Sequence, residues 1–340
     1  MTANESSAVP SRTRRRFCID VAAVSGLFMQ TVLSHAQTLV ADYPSRPVRW
    51  IVPTSPGGGT DATARAFALI ASEAWKQPVV VDNRPGASGM IGLEALAAAA
   101  PDGYTLSFFS VSQFVDATLL KKFVFDARKD FTPISLLASA PLILVTNAST
   151  GITSLKQLVA SAKSQPKALS YSSGGIGGIT HLAMEIFLHK AAIDVLHVPY
   201  KGSGPAVVDL LGGQVQLSMA TPAAVMQHFR SGKLRALALA AETRSPLAPE
   251  VPTFAEAGLP GISLSTWYGL FGPANMPADL VDKIARSVTG AARTTQVRDR
   301  MAADGIDPIL GTPAEFARFV KAEREQWNAV ARNITFQREK

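Results

Sequence analysis

Two glycine-rich segments hold the residues best suited to binding chemistry. Residues 55–61 read Ser-Pro-Gly-Gly-Gly-Thr-Asp, and residues 172–180 read Ser-Ser-Gly-Gly-Ile-Gly-Gly-Ile-Thr. Each lies between a predicted strand and a predicted helix, where the first helical amides lack partners. Glycine lets a ligand approach the backbone, and a helix N-terminus attracts negative charge. Either loop alone is equally explained as a tight turn, but the pair predicts a site for one small anion.

The predicted ligand contacts come from these loops, a nearby strand end and the turn after His197. They are Pro56, Gly57, Gly58, Gly59, Thr60, Ser110, Ser173, Gly174, Gly175, Gly177, Thr180, Tyr200 and Lys201. Lys201 is placed to attract an anion, although a solvated surface lysine is an equally good interpretation. Tyr200, like Phe109 and Tyr268, is a candidate either for stacking on an aromatic acid or for packing between lobes.

Asp61 and His181 are predicted to support the two loops without touching the ligand. A carboxylate beside a bound anion would repel it, whereas aspartate is well suited to cap a helix. His181 stands four residues before Glu185 on one helix, which favours a stabilising pair over acid–base catalysis.

Other site chemistries fit these residues poorly. Thr180 stands where a dinucleotide-binding fingerprint needs its last glycine, and neither loop carries the lysine of a phosphate-binding loop. There is no G-x-S-x-G motif, and the histidines after residue 36 do not form an H-x-x-x-H pair. We therefore predict no cofactor, no metal site and no catalytic residue. An exported hydrolase or lyase is the third alternative for function.

The N-terminal segment has the pattern of an export signal. Arginines at 14–16 precede an apolar stretch from Val21 to Leu33, and small residues end at Ala36. Residues 1–36 are predicted to be a signal peptide of twin-arginine type, with Sec export left open, so the mature protein is predicted to be periplasmic. Cys18, the one cysteine of the chain, lies in this segment, which leaves no cysteine for disulfides or catalysis.

Length and composition predict a globular protein of two domains. The chain has 340 residues, of which 47% are hydrophobic and 17% charged. Its formal net charge is +7, of which +2 comes from the predicted signal, so +5 remains in the rest of the chain. This modest positive charge would favour anionic small molecules, although an ordinary basic surface explains it equally well. Lysine and arginine do not form a block interleaved with aromatic residues, so nucleic acid is not a predicted partner.

The elements that must position the loops alternate between short β-branched runs and alanine-rich helices. This pattern predicts an α/β fold in which mostly parallel sheets are flanked by helices. In the first part of the chain, the predicted strands are residues 48–52, 79–81 and 105–110. The predicted helices are residues 62–75 and 91–100. Capping boxes at Ser154/Gln157, Thr253/Glu256 and Thr312/Glu315 predict three helix starts.

The chain has no linker typical of independent domains, so the lobes are predicted to be interwoven. We predict that one lobe comprises residues 37–143 plus 265–340 and the other residues 144–264.

Several segments together resemble the Bug-type substrate-binding proteins of tripartite tricarboxylate transporters. They include VPTSPGGGTDATAR (52–65), VVVDNRPGASGMIG (79–92), YSSGGIGGITHLAMEIF (171–187) and HVPYKGSGPAVVDLLGGQV (197–215). The resemblance extends from about residue 43 nearly to the end. It implies a two-lobed periplasmic binding protein of type II-like fold, with a ligand cleft between lobes that close by a hinge. It also implies that both glycine-rich loops bind a carboxylate, with ordered water completing the contacts.

The function implied is capture of a small carboxylate and its delivery to the membrane permease subunits of such a transporter. The ligand classes left open are di- and tricarboxylates, amino acids and aromatic acids. Family members commonly have an aromatic residue just before the first loop, where this chain has Thr54. This difference leaves the identity of the ligand open. The alternative function is a binding module that reports the ligand to a membrane sensor. A monomer is predicted.

Overall fold

The computed structural model describes residues 42–113, 131–246, 248–303 and 305–333. The predicted signal peptide and its cleavage point lie outside these residues. Residues 42–45 precede the main body, which begins at Arg46. Within the described part of the chain, no helix is long and apolar enough to cross a membrane.

Strands of the main body form two sheets. Sheet I has the order β11-β4-β10-β3-β1-β2 and sheet II the order β7-β6-β8-β5-β9. The strands of sheet I are β1 (Val48–Val52), β2 (Val79–Asn83), β3 (Thr105–Ser110), β4 (Phe131–Pro141), β10 (Ser265–Pro273) and β11 (Asp307–Pro308). Those of sheet II are β5 (Ile143–Asn147), β6 (Ser170–Ser173), β7 (Leu196–Pro199), β8 (Leu217–Ala220) and β9 (Leu234–Leu239).

Helices flank both sheets. Those associated with sheet I are α1 (Gly59–Trp75), α2 (Met90–Ala97), α7 (Ala278–Ala292), α8 (Thr295–Ala303) and α9 (Pro313–Asn333). The helices that follow strands of sheet II are α3 (Leu155–Ser164), α4 (Ile179–Ala191), α5 (Ser203–Leu211) and α6 (Pro222–Arg230). Short 3₁₀ turns cover Ala87–Gly89 and Ala148–Thr150. The predicted α/β fold with two lobes is confirmed.

Both sheets are mixed, which corrects the prediction that they are mostly parallel. In sheet I, β1 pairs in parallel with β2 and β3, but β10 runs antiparallel to β3 and β4. In sheet II, β6 pairs in parallel with β7 and β8, but β5 runs antiparallel to β8 and β9. The antiparallel pairs involve the strands next to the crossings between sheets, because the chain leaves along β4 and returns along β10 in the opposite direction.

The two crossings lie side by side. Leu142 donates its amide to the carbonyl of Leu264 at 2.9 Å, and Leu264 donates to Ala240 at 2.9 Å. Such paired connections are what a hinge between two lobes requires. The exact lobe boundaries, 143/144 and 264/265, stay a prediction.

Some elements begin where the local sequence predicts. Strands β1 and β3 have the predicted bounds, whereas α1 begins at Gly59, three residues earlier than predicted. The Ser154 hydroxyl accepts the Gln157 amide at 3.2 Å, which confirms that cap.

Two further capping boxes form, with different outcomes. Thr312 and Glu315 bond reciprocally at 2.8 and 3.3 Å and start α9. Thr253 and Glu256 also bond reciprocally, at 2.8 and 3.1 Å, yet only a turn follows. Predicting a helix at Thr253 was therefore wrong, because Gly258 at φ +92° ends the segment after one turn.

An aromatic stack in the core of sheet I fixes one residue of the site. Phe108 lies between Trp50, with ring centroids 6.1 Å apart, and Tyr268, at 6.0 Å. All three rings are fully buried. Tyr268 is therefore held by packing on one ring face while its hydroxyl reaches toward the start of α1.

Candidate functional site

The first glycine-rich loop is held by Asp61. Its buried carboxylate accepts the Gly57 amide at 3.0 Å, the Arg65 guanidinium at 3.0 Å and the Asn83 amide at 2.8 Å. Burial acts to raise the pKa of Asp61, but the hydrogen bonds from Arg65, Gly57 and Asn83 outweigh it and the pKa is lowered. Asp61 therefore remains ionised and binds its own loop.

Thr60 and Ser110 lie next to each other beside this loop. Their hydroxyl oxygens are 3.4 Å apart, and the Ser110 amide donates to Gln113 at 3.1 Å. Of the remaining predicted residues in the loop, Pro56 and Gly57 are exposed, and Gly58 and Gly59 are buried.

The second loop is held from behind by two stacked histidines. The Gly177 amide donates to Nδ1 of His181 at 3.1 Å, and the Ser173 hydroxyl lies 2.7 Å from Nε2 of His197. The two imidazole rings stack at 4.1 Å. Burial lowers the pKa of His181 to about 4, so the imidazole is neutral at pH 7. Since Nδ1 accepts the Gly177 amide, the one ring proton lies on Nε2. The Ser173–His197 pair is partly buried and holds the second loop against the end of β7.

Glycine conformation shapes the second loop. Gly175 and Gly177 have φ values of +141° and +88°, a region that side chains rarely adopt. The Gly174 amide donates to the Thr180 hydroxyl at 3.1 Å, which joins the loop to the first turn of α4.

A third segment, residues 200–204, lies between the two glycine-rich loops. A methyl group placed on Gly58 would lie 3.2 Å from Cβ of Ser203, and one on Gly174 would lie 2.7 Å from the Ser203 hydroxyl. The Ser55 hydroxyl also donates to the carbonyl of Lys201. The first loop therefore meets this segment directly, and residues 200–204 lie between the two glycine-rich loops.

Tyr200 and Lys201 belong to this third segment but differ in their surroundings. The Tyr200 hydroxyl donates to Asp209 at 2.6 Å, and the Lys201 side chain is exposed. Lys201 contacts the other lobe through its backbone carbonyl, which accepts the Ser55 hydroxyl.

Four helix starts converge where these segments meet. A methyl group on Gly59 would lie 1.9 Å from the Thr221 hydroxyl, so α1 abuts α6, while Gly58 abuts the first residues of α5. The residues that precede α1, α4, α5 and α6 are Gly58, Gly178, Gly202 and Thr221, and none forms a side-chain capping bond. Unpartnered amides and four positive dipole ends are therefore directed at one place.

A small cavity lies at the starts of α4, α5 and α6, and no residue of α1 lines it. Its volume is about 10 Å³, room for one water molecule. Its lining includes Gly174 and Thr180 from the second loop, Ser203 from the third segment and Thr221 from α6, and none of its lining residues is charged. Binding here would therefore use backbone amides and hydroxyl groups. In the described part of the chain, no group of three or more acidic, histidine or cysteine residues is placed to hold a metal ion.

Sequence reasoning missed several residues of this region: Thr63, Ser203, Gly204 and Thr221. Thr221 precedes Pro222 at a helix start, and this Thr-Pro signal was available in the sequence. Tyr268 was considered for ring stacking, but its ring packs on Phe108 and only its hydroxyl faces the convergence. Phe109 lies in the core, stacked on Phe271 at 4.0 Å.

Comparisons with known proteins agree with this geometry. A family model described as tripartite tricarboxylate transporter family receptor matches residues 63–336. BugT of Bordetella pertussis is 38% identical over 312 residues, which cover 91% of this chain and 96% of that protein.

Two similar solved structures contain carboxylates. An R. palustris protein with adipate has a TM-score of 0.81 at 32% identity, covering 85% of this chain and 97% of that one. MatC from Rhodopseudomonas palustris with bound malate has a TM-score of 0.78 at 31% identity, covering 85% of this chain and all of that one.

Proposed function

Because the chain belongs to the tripartite tricarboxylate transporter receptor family of Bug-type solute-binding proteins, we propose that it captures a small carboxylate between its lobes. In this proposal it delivers the ligand to the membrane permease of its transporter. It acts in the periplasm as a monomer after removal of residues 1–36, and the ligand leaves it chemically unchanged.

The convergence of four uncapped helix starts carries the proposal. The first backbone amides of α1, α4, α5 and α6 suit a carboxylate, because its oxygens accept several hydrogen bonds at once. Since the lining is uncharged, the attraction comes from oriented amides, hydroxyls and helix dipoles. The relatives solved with adipate and malate support a carboxylate as the ligand class.

We assign the binding role to the amides and hydroxyls at the starts of α1 and α4, completed by Ser203 and Thr221. The amides of Gly57, Gly174 and Gly177 are already bonded within their loops and shape the site without binding the ligand. Asp61 and His181 act as supports, because both bind loop amides directly. Lys201 and Tyr200 contribute through the position of the third segment, since Lys201 accepts a hydrogen bond through its carbonyl and Tyr200 is bonded to Asp209.

Lobe closure is the mechanical part of the function. In the closed arrangement Ser55 bonds to the Lys201 carbonyl, and Gly204 packs so tightly that an added methyl would lie 2.0 Å from the Pro56 carbonyl oxygen. A ligand that bridges the helix starts of both lobes stabilises this closed state, and the permease can then distinguish loaded from empty protein.

The test is a thermal-shift screen of the purified protein against mono-, di- and tricarboxylates, including amino and aromatic acids. A ligand at a hundred times its dissociation constant stabilises the native state by about 2.7 kcal/mol. We expect one carboxylate class to raise the melting temperature and to be recovered intact. Folded, ligand-free protein that responds to no carboxylate would refute the proposal, and loss of the ligand on incubation would favour an enzyme.

A further inference from the structure

We propose that Ser55 is a positioning residue, whose hydroxyl holds the two lobes together after closure and so sets how long a bound carboxylate stays in the protein. Its hydrogen bond to the Lys201 carbonyl is called the latch below. The inference rests on the proposed function and adds a kinetic role to it: the latch controls release of the carboxylate and leaves its entry unaffected.

The latch joins the two lobes through one side chain. Ser55 follows β1 on the side of sheet I, Lys201 follows β7 on the side of sheet II, and the Ser55 hydroxyl donates to the Lys201 carbonyl. Gly202 lies against the same side chain, because a methyl placed on Gly202 would lie 2.7 Å from the hydroxyl oxygen and 2.9 Å from Cβ of Ser55. The serine therefore contacts the opposite lobe both by hydrogen bonding and by packing.

The acceptor of the latch is fixed to the second glycine-rich loop. The Tyr200 amide donates to the Ser173 carbonyl at 3.1 Å, and the Gly202 amide donates to the Gly174 carbonyl at 3.0 Å. These two bonds lie on either side of Lys201 in the chain, so its carbonyl moves together with the second loop.

The donor of the latch is fixed to the first glycine-rich loop. The side-chain amide of Asn83 donates to the Thr54 carbonyl at 3.1 Å and to the Asp61 carboxylate at 2.8 Å. The residue before Ser55 is thus tied to the aspartate that holds the loop. Because both ends of the latch are held within their own lobes, the hydrogen bond costs little conformational entropy when the lobes close.

The latch adds direction to a contact that otherwise depends on close packing. Beside it, Gly204 approaches Pro56 through the backbone, since a methyl on Gly204 would lie 2.0 Å from the Pro56 carbonyl oxygen. A hydrogen bond also requires alignment of donor and acceptor, and its net contribution shifts an equilibrium by about two- to tenfold. We therefore expect the latch to favour the closed state over the open state by this factor.

The order of events determines which rate constant the latch affects. A carboxylate enters while the lobes are apart, when Ser55 and Lys201 are not in contact, and the latch forms when the lobes close over it. Loss of the latch therefore leaves the association rate constant unchanged and raises the dissociation rate constant, as most changes at binding interfaces do.

The test compares the wild type with Ser55→Ala, which removes the hydroxyl and keeps Cβ. Succinate, adipate, malate, citrate and benzoate serve as probes, and the probe that raises the melting temperature most is used for stopped-flow measurement of both rate constants. We expect Ser55→Ala to release this probe about two- to tenfold faster than the wild type and to bind it at the wild-type rate.

Ser164→Ala is the matched control. The Ser164 hydroxyl also donates to a backbone carbonyl, that of Ser161 at 2.9 Å, but this bond lies within one lobe at the end of α3. The control should change neither rate constant, and the melting temperatures of the unliganded proteins confirm that each variant folds.

The outcomes separate the latch from carboxylate capture. An unchanged dissociation rate constant in Ser55→Ala, or an affinity loss that comes from slower association, would refute the latch while carboxylate capture stands. If no probe binds the folded wild type, both proposals fall.

Discussion

Helix starts at the convergence differ from those elsewhere in the molecule. Helix α3 is capped by the Ser154 hydroxyl and α9 by the reciprocal Thr312–Glu315 bonds. The starts of α1, α4 and α5 instead follow glycines, and Thr221 precedes α6 without a side-chain capping bond. A side-chain cap would occupy the amides that a carboxylate needs, so the proposed site gives up local stability in favour of binding.

The absence of a cap does not mark a site by itself. Helix α7 follows Pro277 and also starts without a side-chain capping bond. What distinguishes the other four is that they lie next to one another: α4, α5 and α6 line one cavity, and Gly59 at the start of α1 lies against Thr221. Capped helix starts therefore serve stability, whereas the uncapped starts that lie next to one another are those proposed to bind the ligand. If this is right, substitutions at the two kinds of helix start should affect different properties.

The largest expected effect is loss of binding in Gly59→Ala. The new methyl would lie 1.9 Å from the Thr221 hydroxyl across the lobe interface, so the closed state cannot form without displacement. We expect affinity for the preferred carboxylate to fall about a hundredfold or more, roughly 2.7 kcal/mol, measured by calorimetry. The unliganded protein should be no less stable, because alanine favours a helix over glycine by up to about 1 kcal/mol.

Gly290→Ala in α7 is the matched control for this substitution. A methyl there meets nothing within 4 Å, so stability should rise slightly and binding should not change. Wild-type affinity in Gly59→Ala would contradict the proposed closure.

The next effect is on the pH dependence of stability. The pKa of His181 is about 4 in the folded protein against 6.5 in the unfolded chain, so the unfolded state binds more protons between these values. The contribution of His181 is therefore complete above pH 6.5 and is lost as the pH falls toward 4, by about 3 kcal/mol in total.

Denaturant titrations of wild type and His181→Gln at pH 7.0, 5.5 and 4.5 measure this loss. Glutamine can accept the Gly177 amide but does not titrate, so the variant should lose less stability than the wild type on acidification. Parallel curves for the two proteins would assign the loss to other groups.

Removal of the loop support at Asp61 should have a smaller effect on stability. Asp61→Ala leaves the Gly57 amide, Arg65 and Asn83 without their acceptor, and we expect a cost of about 2 kcal/mol with weaker carboxylate binding. Because its folded pKa is lowered, the contribution of Asp61 exists above its ordinary value of 3.8 and is lost in stronger acid. Asp102→Ala, which breaks an exposed pair with Arg46, is the control and should cost at most about 1 kcal/mol.

The smallest effect belongs to the capped helices. Ser154→Ala removes the cap of α3 and should cost about 1 kcal/mol of unfolding free energy, measured by denaturant titration. Carboxylate affinity should stay at the wild-type value, because α3 starts outside the convergence. A change in affinity would show that capped and uncapped helix starts are coupled.

Sequence patterns were reliable where structure depends on near neighbours. Strands β1 and β3 have their predicted bounds. The Ser154 cap and the capping boxes at Thr253 and Thr312 also form, because each involves residues within a few positions of each other. The family was also predicted correctly, since its segments occur in order along most of the chain. Long-range arrangement was harder, as the antiparallel crossings of both sheets show.

By itself, the sequence determined the family, the two-lobed α/β fold and the two glycine-rich loops, because these depend on local residue types and their order. Only the tertiary structure placed the third segment between the loops and brought Thr221 and Tyr268 against Gly59. Both contacts of Gly59 join residues more than a hundred positions apart in the chain. Such neighbours are set by how two lobes close on each other, a packing result that no local pattern encodes.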